Sequence, residues 1–99
     1  MQLHTLALSA LAIAFHASPA FSGALIDDTF HSNALNANLP VNIYRPDGEP
    51  PENGRPVLYL LHGHDGDQNS WRGLGNIEKT LDGMIAAGTI RPLVVVTPG

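Results

Sequence analysis

Pro56-Val57-Leu58-Tyr59-Leu60-Leu61-His62-Gly63-His64-Asp65-Gly66-Asp67 is the stretch whose reading decides the fold. An unbroken apolar run stops at His-Gly and gives way to a loop of Gly, Asp and Asn. Strands of a parallel sheet, covered on both faces, read as continuous apolar runs. Ligands of open α/β sheets bind just beyond the carboxyl ends of such strands. Leu58–Leu61 is therefore expected to be a buried parallel strand within Val57–Leu61, and His62–Asn69 the lip of a site. A loop pinned at a strand end in this way can aim backbone N–H groups at developing negative charge.

The segments on either side of this stretch extend the α/β reading. Upstream, Leu25–Leu35 is expected to hold a first strand around Thr29–Ser32, and Asn36-Ala37-Asn38 is turn chemistry. Val41-Asn42-Ile43-Tyr44 alternates with period two, as a half-buried strand does. Pro46–Pro56 is a surface loop, since proline cannot donate to a ladder and glycine supplies positive φ. Downstream, Ile77, Leu81, Met84 and Ile85 fall on one face of a helix. Asn76 is placed as its N-cap, and Gly88 as its left-handed C-terminal residue. Leu93–Val96, between Pro92 and Pro98, is a second buried strand. Two outer strands followed by one βαβ unit are the opening of a larger sheet.

The first residues have the character of an export leader. Leu6–Phe15 is an apolar block of ten residues, in the range of a signal-peptide core and too short to span a bilayer. Small residues at the spacing a signal peptidase accepts follow at Ser18 and Ala20, and again at Ser22 and Ala24. The expected division is a signal peptide over 1–24, cut after Ala20 or Ala24, and a domain over 25–99. The leader lacks Lys and Arg, and an apolar first helix is the alternative. A secreted or periplasmic location follows, with no membrane contact after cleavage.

Composition narrows the remaining choices. There is no Cys, so no disulfide can staple a small exported domain. A domain of this size hides only about 60% of its unfolded surface and is marginal alone. The net charge of −4, without a basic stripe, excludes a nucleic-acid partner.

Metal readings fail on residue identity. His62, His64, Asp65 and Asp67 approach a binuclear zinc pattern, but Gly66 and Asp67 occupy its last two places. Asp65-x-Asp67-x-Asn69 opens like a calcium loop. Ser70 then replaces the turn glycine, and Asn76 stands where a bidentate Glu is needed. No metal and no cofactor are expected. Gly73-Leu74-Gly75 is not a dinucleotide fingerprint, since Glu78 takes the third glycine's place.

Taken together, Leu58–Gly63, Trp71 nine residues beyond His62, the helix, and Ile90–Pro98 resemble the esterase family of α/β-hydrolases. That family includes feruloyl, acetylxylan and enterochelin esterases, esterase D and the mycolyltransferases. The likeness runs over Asn42–Gly99, and more loosely back to Leu25. It implies the amino-terminal portion of an α/β-hydrolase sheet, incomplete, from a Ser-His-Asp hydrolase acting on small-molecule or polysaccharide-linked esters. It also implies that the backbone N–H of His64, with Asp65 as a second contributor, stabilises the oxyanion. His62, Gly63 and Trp71 are the associated binding residues, with Gly63 allowing the sharp turn. Trp71 has a competing role as core packing at the helix entrance. Many relatives carry a small or apolar residue at the place of His64.

The nucleophile of this fold sits in Gly-x-Ser-x-Gly at a strand-to-helix elbow. Ser9, Ser18, Ser22, Ser32 and Ser70 are the serines, and none has glycine at both −2 and +2. The expectation is a fragment carrying the oxyanion loop, without nucleophile, acid or catalytic His, and inactive alone. The alternative is a secreted, non-catalytic module that binds a glycan or acyl group with the same loop.

Overall fold

A computed structural model describes residues 22–99. The leader block Leu6–Phe15 and the candidate cut after Ala20 lie outside the described residues. Four strands form one mixed sheet: β1 (Ala24–Ser32), β2 (Ala37–Arg45), β3 (Val57–Tyr59) and β4 (Val94–Pro98), in spatial order β1-β2-β4-β3. Between β3 and β4 lie a single-turn helix α1 (Ser70–Gly73) and the helix α2 (Ile77–Ala86). β1 pairs antiparallel with β2, and β2 antiparallel with β4. β3 runs parallel to β4, with Val57 opposite Val94 and Tyr59 opposite Val96. This is the expected pair of outer strands followed by a βαβ unit.

The sheet's core lies on the helix side. Ile77, Leu81 and Ile85 of α2 are buried against Tyr44 and Val95, with Leu25, Leu60, Trp71, Ile90 and Leu93 packed around them. A side chain of this size contributes about 1.5–3 kcal/mol when withdrawn from water, which makes these three residues the main apolar attachment of α2 to the sheet. Gly88, at φ 75°, ends α2 as expected. The amides of Gly88 and Thr89 donate to the carbonyls of Ile85 and Met84, closing a Schellman motif.

Several expectations are corrected. β1 is nine residues long and starts at Ala24, well before Thr29, because its ladder with β2 runs unbroken from Ala24–Arg45 to Ser32–Ala37. The turn occupies residues 33–36, with Asn36 at φ 49°, so Ala37 and Asn38 already belong to β2. β2 is covered more fully than a half-buried strand, since Val41, Asn42 and Tyr44 are all buried. Asn76 precedes α2 in the left-handed region and its side chain caps nothing. Met84 lies at the margin of the helix face, with its side chain partly exposed.

The largest correction concerns β3. It comprises only Val57–Tyr59, extended by one further ladder bond from the Leu60 amide to the Val96 carbonyl. Its side chains are exposed, Val57 by 50% and Tyr59 by 68%. An apolar run is buried only where both faces and both edges are covered. Among the described residues β3 is an edge strand, and no helix lies on the face that carries Val57 and Tyr59.

Candidate functional site

The parallel strands β3 and β4 end at the same side of the sheet, and the loop from Leu61 to Asn69 leaves from there. Gly63–Gly66 forms a tight turn closed by the Gly66 amide on the Gly63 carbonyl at 3.0 Å. Asp65 stands at φ 62° in its third position, while His64 keeps a negative φ. That combination is the type II arrangement, which favours glycine or asparagine in the third position. The sharp turn follows Gly63 as expected, but its positive-φ position is Asp65 and not the glycine. A Cβ at Gly63 would meet nothing within 4 Å. Gly66 is the glycine demanded by close approach, since a Cβ there would lie 2.6 Å from Ser70 Oγ and 3.1 Å from the Gly63 carbonyl.

His62 is half-buried, and its Nδ1–H donates to the Gly63 carbonyl at 2.7 Å, which sets the tautomer. The His64 imidazole points to solvent, with Nε2 3.4 Å from Asp65 Oδ2. Both side chains are almost wholly exposed, so their attraction is screened and organises little. The main-chain amides of His64 and Asp65 donate to no acceptor among the described residues. The turn thus presents two adjacent free N–H groups on a closed backbone.

Both ends of the loop are tied down. At its start, Trp71 Nε1–H donates to the Leu61 carbonyl at 3.1 Å, while the ring packs on the core beside Leu60 and Ile77. At its end, Asn42 Nδ2 donates to the Gln68 carbonyl at 2.9 Å and to Asn69 Oδ1 at 2.8 Å. Thr97 Oγ1 donates to the same Gln68 carbonyl at 3.0 Å. Asp67 and Ser70 close the entry to α1: Ser70 Oγ accepts from the Asp67 amide, and Asp67 Oδ1 from the Asn69 amide. Arg72 lies against Asp27 Oδ1 at 3.0 Å, joining α1 to β1.

Asn42 and Thr97 are positioning residues that sequence reasoning missed. Both are buried polar side chains in strands, and their alternation gave no sign that a loop would lie over them. The group whose pKa stands away from its ordinary value lies elsewhere. Burial, with the hydrogen bond and charge of Asp82 and the charge of Glu78, holds the Tyr44 phenol well above the usual range. Its Oη–H donates to Asp82 Oδ1 at 2.6 Å within the core. No group of three or more His, Cys, Asp or Glu placed to hold a metal occurs among the described residues. No helix among them is long and apolar enough to cross a membrane.

The family model described as "Putative esterase" matches residues 32–98. The chain belongs to that esterase family. Its sheet and crossover are the α/β-hydrolase architecture of feruloyl esterases. The feruloyl esterase module from Clostridium thermocellum, solved as a mutant complexed with sinapinate, superposes with a TM-score of 0.68 at 28% identity, over 84% of this chain and 29% of that one. An endo-1,4-β-xylanase/feruloyl esterase of Xylanibacter ruminicola is 34% identical over 73 residues, 69% of this chain and 10% of that protein. Endo-1,4-β-xylanase Y of Acetivibrio thermocellus is 30% identical over 78 residues, 78% of this chain and 7% of that protein. The chain spans a tenth or less of the curated relatives it matches, and under a third of the solved esterase module.

Proposed function

We propose that residues 57–71 form the oxyanion arm of an exported serine carboxylesterase of the feruloyl- or acetyl-esterase kind. In this reading the His64 amide is the principal donor and the Asp65 amide the second. His62, Gly63 and Trp71 hold the turn in place beside the acyl group. The substrate is an ester of a small alcohol or of a polysaccharide hydroxyl. Export rests on the apolar block Leu6–Phe15 and the small residues after it.

The observation that carries the reading is the pair of unpartnered amides in a closed turn at the carboxyl end of a parallel strand. When a serine alkoxide attacks an ester, the carbonyl oxygen gains a full negative charge. A preorganised N–H aimed at that oxygen contributes about 3 kcal/mol to the transition state, because it need not reorganise as the charge appears. This chain supplies rigidity through Trp71 and Asn42, and donors through His64 and Asp65. No serine here stands in Gly-x-Ser-x-Gly. The nucleophile, its histidine and its acid are accordingly assigned to residues outside these 99, and the 99 residues alone are inactive.

The test is a chimera in which residues 22–99 replace the matching segment of a feruloyl esterase. Hydrolysis of a chromogenic ester within tenfold of the parent enzyme is expected. In that chimera His64→Pro deletes the amide hydrogen at a turn position where proline is well tolerated. The expected result is a fall in kcat of about 10²–10³-fold with little change in KM. A folded His64→Pro chimera of undiminished kcat would remove His64 from the role. Turnover by the 99-residue chain alone, above a heat-inactivated control, would overturn the assignment of the nucleophile.

A further inference from the structure

We propose that the leader is removed amino-terminal to Gly23, so that Gly23 and Ala24 stay in the mature protein. The inference rests on the export reading and chooses between the cuts that the sequence alone permits. Three contacts carry it. The Gly23 amide donates to Asp82 Oδ1 at 2.8 Å, on the same oxygen that receives the Tyr44 hydroxyl. Ala24 is the first rung of the β1–β2 ladder, opposite Arg45. Position 23 also accepts no side chain: a Cβ would lie 2.6 Å from Tyr44 Oη and 2.8 Å from the Arg45 carbonyl.

A residue destined for removal has no reason to fit the folded core so closely. Hydrolysis after Ala24 would take away the Asp82 contact and the first rung together. The Leu25 amide, which donates to Glu78 Oε2 at 2.8 Å, would then be the one remaining hydrogen bond between the start of β1 and α2 among the described residues. Small residues two apart, as the peptidase requires, are available upstream. Ser18 with Ala20 leaves Phe21 as the new terminus, and Ala20 with Ser22 leaves Gly23. In either case water adds across the peptide bond, giving a carboxylate on the leader and an α-ammonium on the mature chain. If Gly23 is the terminus, that ammonium replaces the amide beside Asp82.

The experiment expresses the full chain in an exporting bacterium and reads the amino terminus by Edman sequencing and intact mass after denaturing extraction. Denaturing extraction makes the result independent of whether the product folds. Sequences beginning at Phe21 or Gly23 are expected, with the corresponding loss of mass. A terminus at Ala24 or beyond overturns the inference while leaving export intact. A chain retained in the cytoplasm with Met1 still attached overturns the export reading and the inference with it.

Discussion

Trp71 Nε1–H and the Leu61 carbonyl meet at 3.1 Å, joining the first helical turn after the loop to the residue that follows the last ladder bond of β3. The segment between them is therefore closed by a hydrogen bond, with the Gly63–Gly66 turn inside it. Trp71→Phe in the esterase chimera keeps most of the aromatic packing and removes the bond. Leu61 is exposed, so water can satisfy its carbonyl, and the expected loss is about 0.5–1.5 kcal/mol. If the bond positions the turn, kcat falls while KM changes little. Thermal melts and steady-state kinetics together check this, and an unaltered kcat at lowered stability would reduce Trp71 to packing alone.

The opposite anchor is more deeply buried. Asn42 is 1% exposed, and both hydrogens of its amide are used on the Gln68–Asn69 backbone and side chain. Asn42→Ala leaves the Asn69 side-chain oxygen with Arg72 Nη1 alone, at 3.3 Å, and the Gln68 carbonyl with Thr97 alone. Unmade buried bonds of this kind cost about 1–3 kcal/mol. Chemical denaturation of the chimera should show a midpoint lowered to match, with kcat depressed as well. Wild-type stability in Asn42→Ala would mean that solvent reaches this corner.

Much of this architecture is legible in the residues, and the exceptions have physical causes. The α2 face of Ile77, Leu81 and Ile85, and the glycine at 88, follow local rules that need no knowledge of neighbours. The burial of Val57–Leu61 does not, because an apolar run reports what a strand can tolerate rather than what covers it. α1 spans only Ser70–Gly73, less than two turns, and periodicity cannot register it. The end of β3 and the start of the loop were readable from the abrupt end of the apolar run at His62-Gly63. The loop's geometry was not: a left-handed Asp65 is tolerated through short-range side-chain chemistry, and a strand asparagine such as Asn42 reads as a solvent-facing residue. Which amides stay unpaired is a three-dimensional property of the whole turn.

The Tyr44–Asp82 pair makes stability depend on pH at the alkaline end. In the unfolded chain the phenol titrates near 10.0, while in the folded protein burial and the neighbouring carboxylates raise it. Between those two values the folded state holds a proton that the unfolded state has lost. By linkage, stability is complete below about pH 10 and declines as pH rises above it. Tyr44→Phe removes the Asp82 bond, lowers stability at pH 7, and should flatten this alkaline slope. Urea midpoints of the chimera and its Tyr44→Phe variant from pH 7 to 11 make the comparison. Parallel curves would show that Tyr44 ionises equally in both states.

The exposed apolar surface sets the last expectation. Ile26, Phe30, Val57 and Tyr59 share the face of the sheet opposite α2, and each is at least a third exposed. β3, which carries Val57 and Tyr59, is an edge strand, with its outer ladder groups unpaired among the described residues. Long apolar edges recruit other chains, and natural proteins blunt them with charge. A self-sufficient glycan- or acyl-binding module would need this surface to be tolerable in water. The 99-residue chain by itself should instead associate at micromolar concentration and melt without a sharp transition. Tyr59→Lys places a charge at the middle of the problem and should raise the monomeric fraction in size-exclusion chromatography with light scattering. A wild-type chain that stays monomeric and unfolds cooperatively would favour the binding module, and would mean that this face needs no further polypeptide to cover it.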